Sequence, residues 1–557
     1  MAAASYAAPV EIQRDLGVRV PMRDGIRLST NLFRPAGSGR YPTILSRTPY
    51  NKGQDLSATQ RAFVNRGYAV VVQDVRGRYQ SEGVFDPWRQ ESPDGSDTLD
   101  WIARQPWSNG KAGMIGGSYV GIVQWKAALT GNPHLKAIFP IVSGCDDYLD
   151  RFYSRGGAMK LGHRLLWMSD NLRAPNFPKP DFAKFVLHLP LRSADVAATG
   201  QPDDRLYRAA IAHPSYDEFW RRLSTREQLH RIRVPVLSIG GWYDNFAEGD
   251  LEAFSILQRQ GKMVRTMIGP WPHNMSVPFD GVDFGPASKI AVTKLQLEWF
   301  DHWLKSPNPG GNPPAPGLRI FVMGRNQWRD EQEWPLRRAV PTYYYLAGRG
   351  RANGLNGDGK LQVQPPRKEY RDEYTYNPRN PVPTRGGPVC CNPKVFPWGP
   401  MDERPVEKRP DVLVFTSEAL KEDLEATGPV QARLYVMTSA PDTDFTVKLV
   451  DVFRDGTARN LCDGILRLRY RNGLHKPELV KPGELLAVTV EAGVTSNVFL
   501  RGHRIRLEIS SSNFPRFDRN LNTGRPNAAE TELRPARQAV YHGRDRASHL
   551  VLPVVPR

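Results

Sequence analysis

The period of the hydrophobic pattern changes once along this chain, near residue 317, and that change constrains the fold more than any other feature. Before it, short β-branched runs alternate with segments whose apolar residues recur at helical spacing, which is typical of a mostly parallel sheet covered by helices. After it, apolar and polar residues alternate, as they do in half-buried antiparallel strands. The 557 residues suffice for two or three domains with separate cores. We therefore predict an α/β domain followed by a β-sandwich of the jelly-roll type.

Two interruptions of these patterns place the domain boundaries. Between Cys145 and about Ile232 the β runs stop, and aromatic-rich helical segments such as "YLDRFYSRGGAMKLGHRLLWMSDNL" take their place. An insertion at that point is expected to cap the carboxyl ends of the strands, with an ordinary helical subdomain as the alternative. The stretch "SPNPGGNPPAPG" is a predicted linker. The predicted bounds are 1–144 and 233–306 for the α/β domain, 145–232 for the helical cap and 318–557 for the β-sandwich.

The chain is strongly basic, with a formal net charge of +18. A basic chain can bind nucleic acid, anionic lipid or an anionic substrate, but here the basic residues are dispersed and no nucleic-acid recognition motif accompanies them. No stretch approaches the roughly 18 consecutive apolar residues of a membrane span. The first residues also lack the basic and apolar regions of a secretory signal. We predict a cytoplasmic protein that binds neither nucleic acid nor membrane.

The four cysteines predict neither a disulfide framework nor a metal site. Cys145 and Cys462 stand alone, and the adjacent Cys390 and Cys391 match neither a CxxC pair nor a zinc-ligand spacing. Thiols of cytosolic proteins are normally reduced. We therefore expect four reduced cysteines, no metal and no organic cofactor.

One serine stands where a nucleophile is expected. The segment "KAGMIGGSYVGIVQW" places Ser118 between an apolar β run and a helix-like run, with glycines in front. A serine on such a strand-to-helix turn is the nucleophile of α/β-hydrolases, in which the usual motif is G-x-S-x-G. Here Val120 occupies the place of the second glycine and Gly121 follows it. Taken alone, the segment is equally typical of a structural turn.

Two later strand ends supply the partners that a serine nucleophile needs. In α/β-hydrolases the acid and then the histidine follow the serine along the chain, at the ends of later strands. "VPVLSIGGWYDNF" places Asp244 beyond one β run, and "MVRTMIGPWPHNM" places His273 beyond the next. Alone, each could be a helix-cap or loop residue. Together, in the required order, they predict a triad in which His273 moves the Ser118 proton and Asp244 orients the imidazole.

The same segments carry a family resemblance. "GGSYVG", "GGWYDNF", "GPWPHN", "SRTPYNKG" and "QDVRGRYQSEG" resemble the X-prolyl dipeptidyl-peptidase-like serine hydrolases, a family that includes cocaine esterases, α-amino acid ester hydrolases and glutaryl acylases. The resemblance covers nearly the whole chain. It implies an α/β-hydrolase domain with an inserted helical cap, followed by a jelly-roll domain. In this family the turn reads G-x-S-Y-x-G, so Gly121 is the expected glycine.

The resemblance also implies roles for residues that the pattern alone leaves open. Tyr50 corresponds to the oxyanion tyrosine, which donates its O–H together with the backbone N–H of Tyr119. Phe246 resembles the aromatic that lines the acyl pocket of the cocaine esterase type, and it replaces an acidic residue that binds the substrate ammonium in amino acid ester hydrolases. Trp167 and Phe152 of the cap are further candidates for the pocket wall, with helix-core packing as the alternative.

The sequence therefore predicts a serine hydrolase that cleaves a carboxylic ester with an apolar or aromatic acyl group through an acyl-enzyme intermediate. Its partner is a small-molecule ester or amide, and a homo-oligomer is left open. One alternative is an amidase, acylase or aminopeptidase acting on acylated amines; the basic charge would favour an anionic acyl group. The others are an acyltransferase and a non-catalytic binding protein on a hydrolase scaffold.

Overall fold

The structure, a computed structural model, describes residues 10–87, 89–305 and 315–556. Residues 1–9, at the start of the segment predicted to lack a secretory signal, and residues 306–314 of the predicted linker lie outside the described residues. The first domain is built on a ten-stranded sheet. Its strands are β1 (Ile12–Pro21), β2 (Arg27–Pro35), β3 (Tyr41–Thr48), β4 (Ala69–Asp74), β5 (Ser108–Gly117), β6 (Leu135–Ile141), β7 (Val236–Tyr243), β8 (Val264–Pro272), β9 (Gly317–Val322) and β10 (Gln327–Glu331).

The strand order of this sheet is β1-β2-β4-β3-β5-β6-β7-β8-β9-β10. Strands β3 to β9 run parallel, and the antiparallel pairs are confined to the two edges. The helices in the described residues are α1 (Ala58–Asn65), α2 (Glu91–Arg104), α3 (Tyr119–Ala128), α4 (Leu161–Asn171), α5 (Phe182–Phe185), α6 (Ala194–Thr199), α7 (Tyr207–Ala212), α8 (Glu218–Leu223), α9 (Thr225–Gln228), α10 (Ala247–Arg259), α11 (Val292–Leu304) and α12 (Arg404–Glu407).

Helices cover both faces of the central strands. All six residues of β4, "AVVVQD", are buried. Ala69 and Val71 belong to the core formed with α2, α3 and α10, whereas Val70 and Val72 pack in the core formed with α1 and α11. A strand that is buried on both faces has a continuous apolar sequence rather than an alternating one, which is why these runs could be recognised.

Between β6 and β7 the chain forms a helical cap, which contains α4 to α9 and a π-helical turn, Asp147–Phe152. The cap has its own core, which includes Tyr148, Leu165 and Trp220. It also contacts the second domain, since the Gly162 N–H donates to the Pro515 carbonyl at 2.7 Å. None of the helices in the described ranges has the length and apolar character that crossing a bilayer requires.

The second domain consists of β-strands that form one hydrogen-bonded set. They are β11 (Val340–Ala347), β12 (Lys360–Gln362), β13 (Tyr370–Tyr376), β14 (Leu413–Ser417), β15 (Leu424–Thr438), β16 (Asp444–Val452), β17 (Ala458–Arg467), β18 (Leu486–Phe499), β19 (Arg504–Ser510), β20 (Ala536–His542) and β21 (His549–Val555). Their order in the sheet is β13-β20-β15-β21-β11-β12-β14-β19-β16-β17, and β18 pairs with β15 outside this path. The predicted α/β domain with a helical insertion, followed by a β-rich domain, is confirmed, and the jelly-roll type of the second domain stays a prediction.

The predicted boundary at residue 318 is wrong by two strands. β9 pairs in parallel with β8, and β10 pairs with β9, so both belong to the first sheet. The side chains of Leu318, Ile320 and Phe321 are buried in the core of this sheet. The first sheet therefore extends to Glu331, because the apolar run after the linker returns to it.

The expectation of four reduced cysteines is wrong for the adjacent pair. Cys390 and Cys391 form a disulfide, whereas Cys145 and Cys462 are buried free thiols. Neighbouring residues hold their sulfur atoms within bonding reach through the chain itself. A vicinal pair therefore needs none of the spacings on which a disulfide or metal prediction relies.

Candidate active site

Ser118 lies on a strained turn between β5 and α3, with φ +56° and ψ −126°. Non-glycine residues with positive φ are uncommon, and such strain persists where the surrounding structure enforces it. A Cβ atom on Gly121 would lie 2.8 Å from the Ser143 Cβ, so glycine is required for α3 to pass the end of β6 this closely. At the preceding position Val120 packs against Gly116. The second glycine of the turn is therefore Gly121.

Asp244 and His273 form a pair at the carboxyl ends of neighbouring strands. Asp244 follows β7 and His273 follows β8, and these strands pair in parallel, so their ends meet at one edge of the sheet. The Nδ1 atom of His273 lies 2.8 Å from Asp244 Oδ1, and Asp244 is 1% exposed. An imidazole that donates its Nδ1–H to Asp244 has Nε2 available as the proton acceptor. The remaining contact of the predicted triad, from Nε2 to the Ser118 hydroxyl, stays a prediction.

The phenol of Tyr50 faces Ser118. Its oxygen interacts with the Ser118 side chain and the Tyr119 backbone amide, and Trp167 Nε1–H donates to it at 3.0 Å. Burial raises the pKa of Tyr50, while the hydrogen bonds from Trp167 and Ser118 act in the opposite direction. The phenol therefore keeps its proton at neutral pH. Its O–H and the Tyr119 N–H, at the start of α3, both lie beside Ser118, and their joint role as oxyanion donors stays a prediction.

A buried network that sequence reasoning missed fixes the side chain of Tyr119. The Tyr119 hydroxyl donates to Glu91 Oε1 at 2.8 Å, and Arg47 Nη1 donates to Glu91 Oε2 at 2.8 Å. The Tyr119 ring also stacks on Trp167 with a centroid distance of 6.2 Å. A fixed side chain fixes the backbone amide of the same residue. Glu91 begins α2, where an acidic residue is ordinary, so the sequence carried no sign of this role.

The segment "TPYNKG" that carries Tyr50 is braced from "QDVRGRYQSEG". Asp74 accepts from the Lys52 backbone N–H at 2.7 Å and pairs with the Lys52 ammonium at 2.9 Å. Arg78 Nε donates to the Pro49 carbonyl at 3.2 Å. The residues on both sides of Tyr50 are thus held by the end of β4 and by the loop that follows it, which together position the phenol.

A pocket above Ser118 is lined by Tyr50, Tyr119, Trp167 and Phe246 among others. The Phe246 ring lies 5.6 Å from the His273 ring, centroid to centroid. The predicted wall role of Phe152 is wrong, because Phe152 is buried in the cap core and does not line the pocket.

Sequence reasoning also missed three basic cap residues that line this pocket, Arg151, His163 and Arg164, as well as Cys390 of the second domain. The available signal was the presence of these cations within the aromatic-rich cap segment. Among the described residues, no group of three His, Cys, Asp or Glu side chains could hold a metal ion.

Comparison with known proteins identifies the family of this chain. Residues 24–275 match the X-Pro dipeptidyl-peptidase (S15) family, and residues 313–551 match the C-terminal non-catalytic domain of X-Pro dipeptidyl-peptidases. A cocaine esterase from Rhodococcus sp. (strain MB1 Bresler) is 39% identical over 567 residues, which cover 97% of this chain and 98% of the relative.

Two solved structures resemble the whole molecule. An aminopeptidase from the marine sediment archaeon Thaumarchaeota archaeon is 27% identical with a TM-score of 0.84, covering 98% of this chain and 97% of its own. An α-amino acid ester hydrolase is 27% identical with a TM-score of 0.83, covering 100% of this chain and 98% of its own. The chain therefore belongs to the X-Pro dipeptidyl-peptidase (S15) family and is a serine hydrolase.

Proposed function

We propose that this protein hydrolyses a small-molecule carboxylic ester through an acyl-enzyme formed on Ser118. The observation that supports the proposal is the placement of a strained serine with the Tyr50 phenol beside it, and of an Asp244–His273 pair at 2.8 Å, after strands of the same parallel sheet. Similarity to a cocaine esterase and an α-amino acid ester hydrolase supports an ester as the bond cleaved.

In the proposed reaction, His273 Nε2 accepts the Ser118 proton as Oγ attacks the ester carbonyl carbon. The oxyanion receives hydrogen bonds from the Tyr50 O–H and the Tyr119 N–H. Protonated His273 then gives its proton to the departing alcohol. Water then loses a proton to His273 and attacks the acyl-enzyme carbonyl. The bond to Ser118 Oγ breaks, His273 returns the proton to that oxygen, and the acid is released.

The aromatic rings that line the pocket support an acyl group that is apolar or aromatic. Phe246 and Trp167 both line the pocket, and aromatic surfaces of this kind bind a carbon chain or ring through burial of its area.

An aminopeptidase activity is the second candidate, because one of the similar structures is an aminopeptidase. Recognition of a free α-ammonium group requires an anionic partner near the nucleophile. The pocket-lining residues that the structure describes include no Asp or Glu. This lining favours the ester hydrolase over an aminopeptidase.

The test compares Ser118→Ala with a control at an exposed serine, Ser38→Ala. Wild type and Ser38→Ala should hydrolyse short p-nitrophenyl esters faster than the matching anilides and should be labelled by a fluorophosphonate probe. Ser118→Ala should do neither. Ester hydrolysis that persists in Ser118→Ala would contradict the proposal, and product formation from an added amine would favour the acyltransferase.

A further inference from the structure

Two arginines of the cap are buried beside the pocket that contains Ser118. Arg151 and Arg164 both line this pocket, yet only 5% and 7% of their surfaces are exposed. Arg151 lies in the π-helical turn Asp147–Phe152, and Arg164 lies in α4. A π-helical turn is rare and occurs frequently at functional sites.

The guanidinium groups of these arginines lack the partners that burial normally requires. Arg151 Nη1 pairs with Asp147, but its Nε and Nη2 atoms are buried without a hydrogen-bond partner among the described residues. Arg164 Nη2 donates to the Arg151 carbonyl at 3.2 Å, and its buried Nε likewise has no partner in the described ranges. Buried polar groups are paired in the great majority of cases, so these three donors need an explanation.

The charge of Arg164 is also left uncompensated. Asp147 pairs with both Arg151 and Lys126, and the carboxylate of Asp146 acts on the same two cations, so neither acidic residue is left over for Arg164. Arg164 has no ion pair at contact distance among the described residues, and the carboxylate with the largest influence on it is the more distant Asp203. Burial, followed by the charge of Arg151, lowers the pKa of Arg164 to about 9. At neutral pH the pocket therefore has an excess of positive charge.

The surroundings of Arg164 connect it to the proposed oxyanion site. Its guanidinium carbon lies 4.1 Å from the centroid of the Phe152 ring and 5.6 Å from that of the Trp167 ring. Trp167 Nε1 is in turn 3.0 Å from the Tyr50 hydroxyl. A single indole thus separates the guanidinium from the phenol. A substrate whose ester carbonyl lies at Tyr50 can extend along Trp167 and reach the cation.

We propose that Arg164 and Arg151 bind a second carboxylate carried by the acyl group of the substrate, so that the preferred substrates are monoesters of short dicarboxylic acids. A carboxylate accepts several N–H bonds and would satisfy the unpartnered donors while neutralising their charge. The carbon chain between the two carboxyl groups would lie against Trp167 and Phe246. We assign the carboxylate to the acyl part because that part stays on the enzyme when the alcohol departs. This inference rests on the proposed function, since it names the substrate class of the same site.

The test uses two esters with acyl chains of five carbons, p-nitrophenyl hydrogen glutarate and p-nitrophenyl pentanoate. Wild type should have a kcat/KM roughly tenfold or more higher for the glutarate ester, as expected for a hydrogen bond to a charged group. Arg164→Met, which keeps an unbranched apolar side chain, should lose roughly 10- to 100-fold more on the glutarate ester than on the pentanoate ester. Arg192→Met, at an exposed arginine of the same cap, is the matched control and should leave both rates unchanged.

A measurement on wild type keeps the inference testable if Arg164→Met does not fold. Free glutarate should inhibit hydrolysis of the pentanoate ester competitively, and at lower concentration than pentanoate does. Equal rates on the two esters, equal losses on both in Arg164→Met, or a preference for 4-carboxyphenyl pentanoate would each overturn the inference. Ser118-dependent hydrolysis of the pentanoate ester in those cases would leave the proposed function intact. Failure of both esters together with absent Ser118 labelling would instead refute the proposed function.

Discussion

Replacing Tyr50 with Phe should remove one of the two proposed oxyanion donors and leave the rest of the site in place. The aromatic ring is retained, so its edge-on contact with Trp167 at 6.4 Å is preserved. Loss of a single oxyanion donor costs about 2.7–4 kcal/mol of transition-state stabilisation, or roughly 10²–10³ in kcat. Because the Tyr119 N–H remains, Tyr50→Phe should stay well above Ser118→Ala in activity.

The matched control for this change is Trp167→Phe. Trp167 donates to the Tyr50 oxygen at 3.0 Å, so the control removes the hydrogen bond that the phenol accepts but keeps the O–H that it donates. We expect Trp167→Phe to lower kcat much less than Tyr50→Phe does, although KM can rise because Trp167 lines the pocket. The assay is kcat on a p-nitrophenyl ester at saturation, with chemical denaturation of both variants to verify folding.

Two results would refute the reasoning about Tyr50. One is a kcat for Tyr50→Phe within about threefold of wild type, which would mean that the phenol donates nothing to the transition state. The other is an equal loss in the two variants, which would mean that the Tyr50–Trp167 contact acts only by holding the pocket in shape.

Three further predictions concern the turn, the β-domain and pH. Gly121→Ala should lose about 1–3 kcal/mol of unfolding free energy and slow the fluorophosphonate labelling, because its Cβ would lie 2.8 Å from Ser143 Cβ; unchanged stability and labelling would argue against the close approach. Lys448→Met should cost about 3–5 kcal/mol in a denaturant titration, since the buried carboxylates of Glu403 and Glu508, 2.7 and 3.7 Å from the ammonium, lose their cation; partial recovery of stability on adding Glu403→Leu would verify the cause. The pKa of Tyr50 is raised from 10.0, so the pH profile of kcat should show no loss from phenol ionisation below pH 10, and a basic limb near pH 8 that Tyr50→Phe abolishes would contradict this.

The elements that could be predicted from sequence are those whose burial follows from local pattern. The six apolar runs between residues 41 and 269 lie on β3 to β8, because strands covered on both faces leave uninterrupted apolar sequence. The alternating run in β16 indicated a half-exposed strand, yet all nine of its residues are buried. The reason is tertiary: its polar Lys448 pairs inside the protein with Glu403, and alternation alone cannot tell a solvated face from a covered polar one. The sequence analysis also assigned β9 to the wrong domain. Its pairing with β8 is a long-range contact, which the local sequence pattern does not reveal.

The residues of the candidate site also differ in whether local sequence could predict them. Ser118, Asp244 and His273 could be found because each follows an apolar run, and the chain order restricts the choice. Tyr50 was identified through family resemblance alone, since nothing in its neighbourhood distinguishes it from a packing residue. Arg164 was not found at all, because a charged residue on an amphipathic helix normally faces solvent and only the folded cap shows otherwise.

The buried arginines connect stability with function in this cap. Replacing buried charged groups by apolar ones is often neutral or stabilising, so cations kept inside the cap with donors unpaired are costly to the folded protein. The cation–aromatic contact of Arg164 with Phe152 at 4.1 Å offsets part of this cost, but it satisfies no N–H group. An anion arriving with the substrate would satisfy the donors at the moment when the ester reaches Ser118. Binding energy gained at Arg164 would then position the carbonyl between Tyr50 and the nucleophile, so that a group remote from the reacting bond contributes to the rate as well as to the choice of substrate.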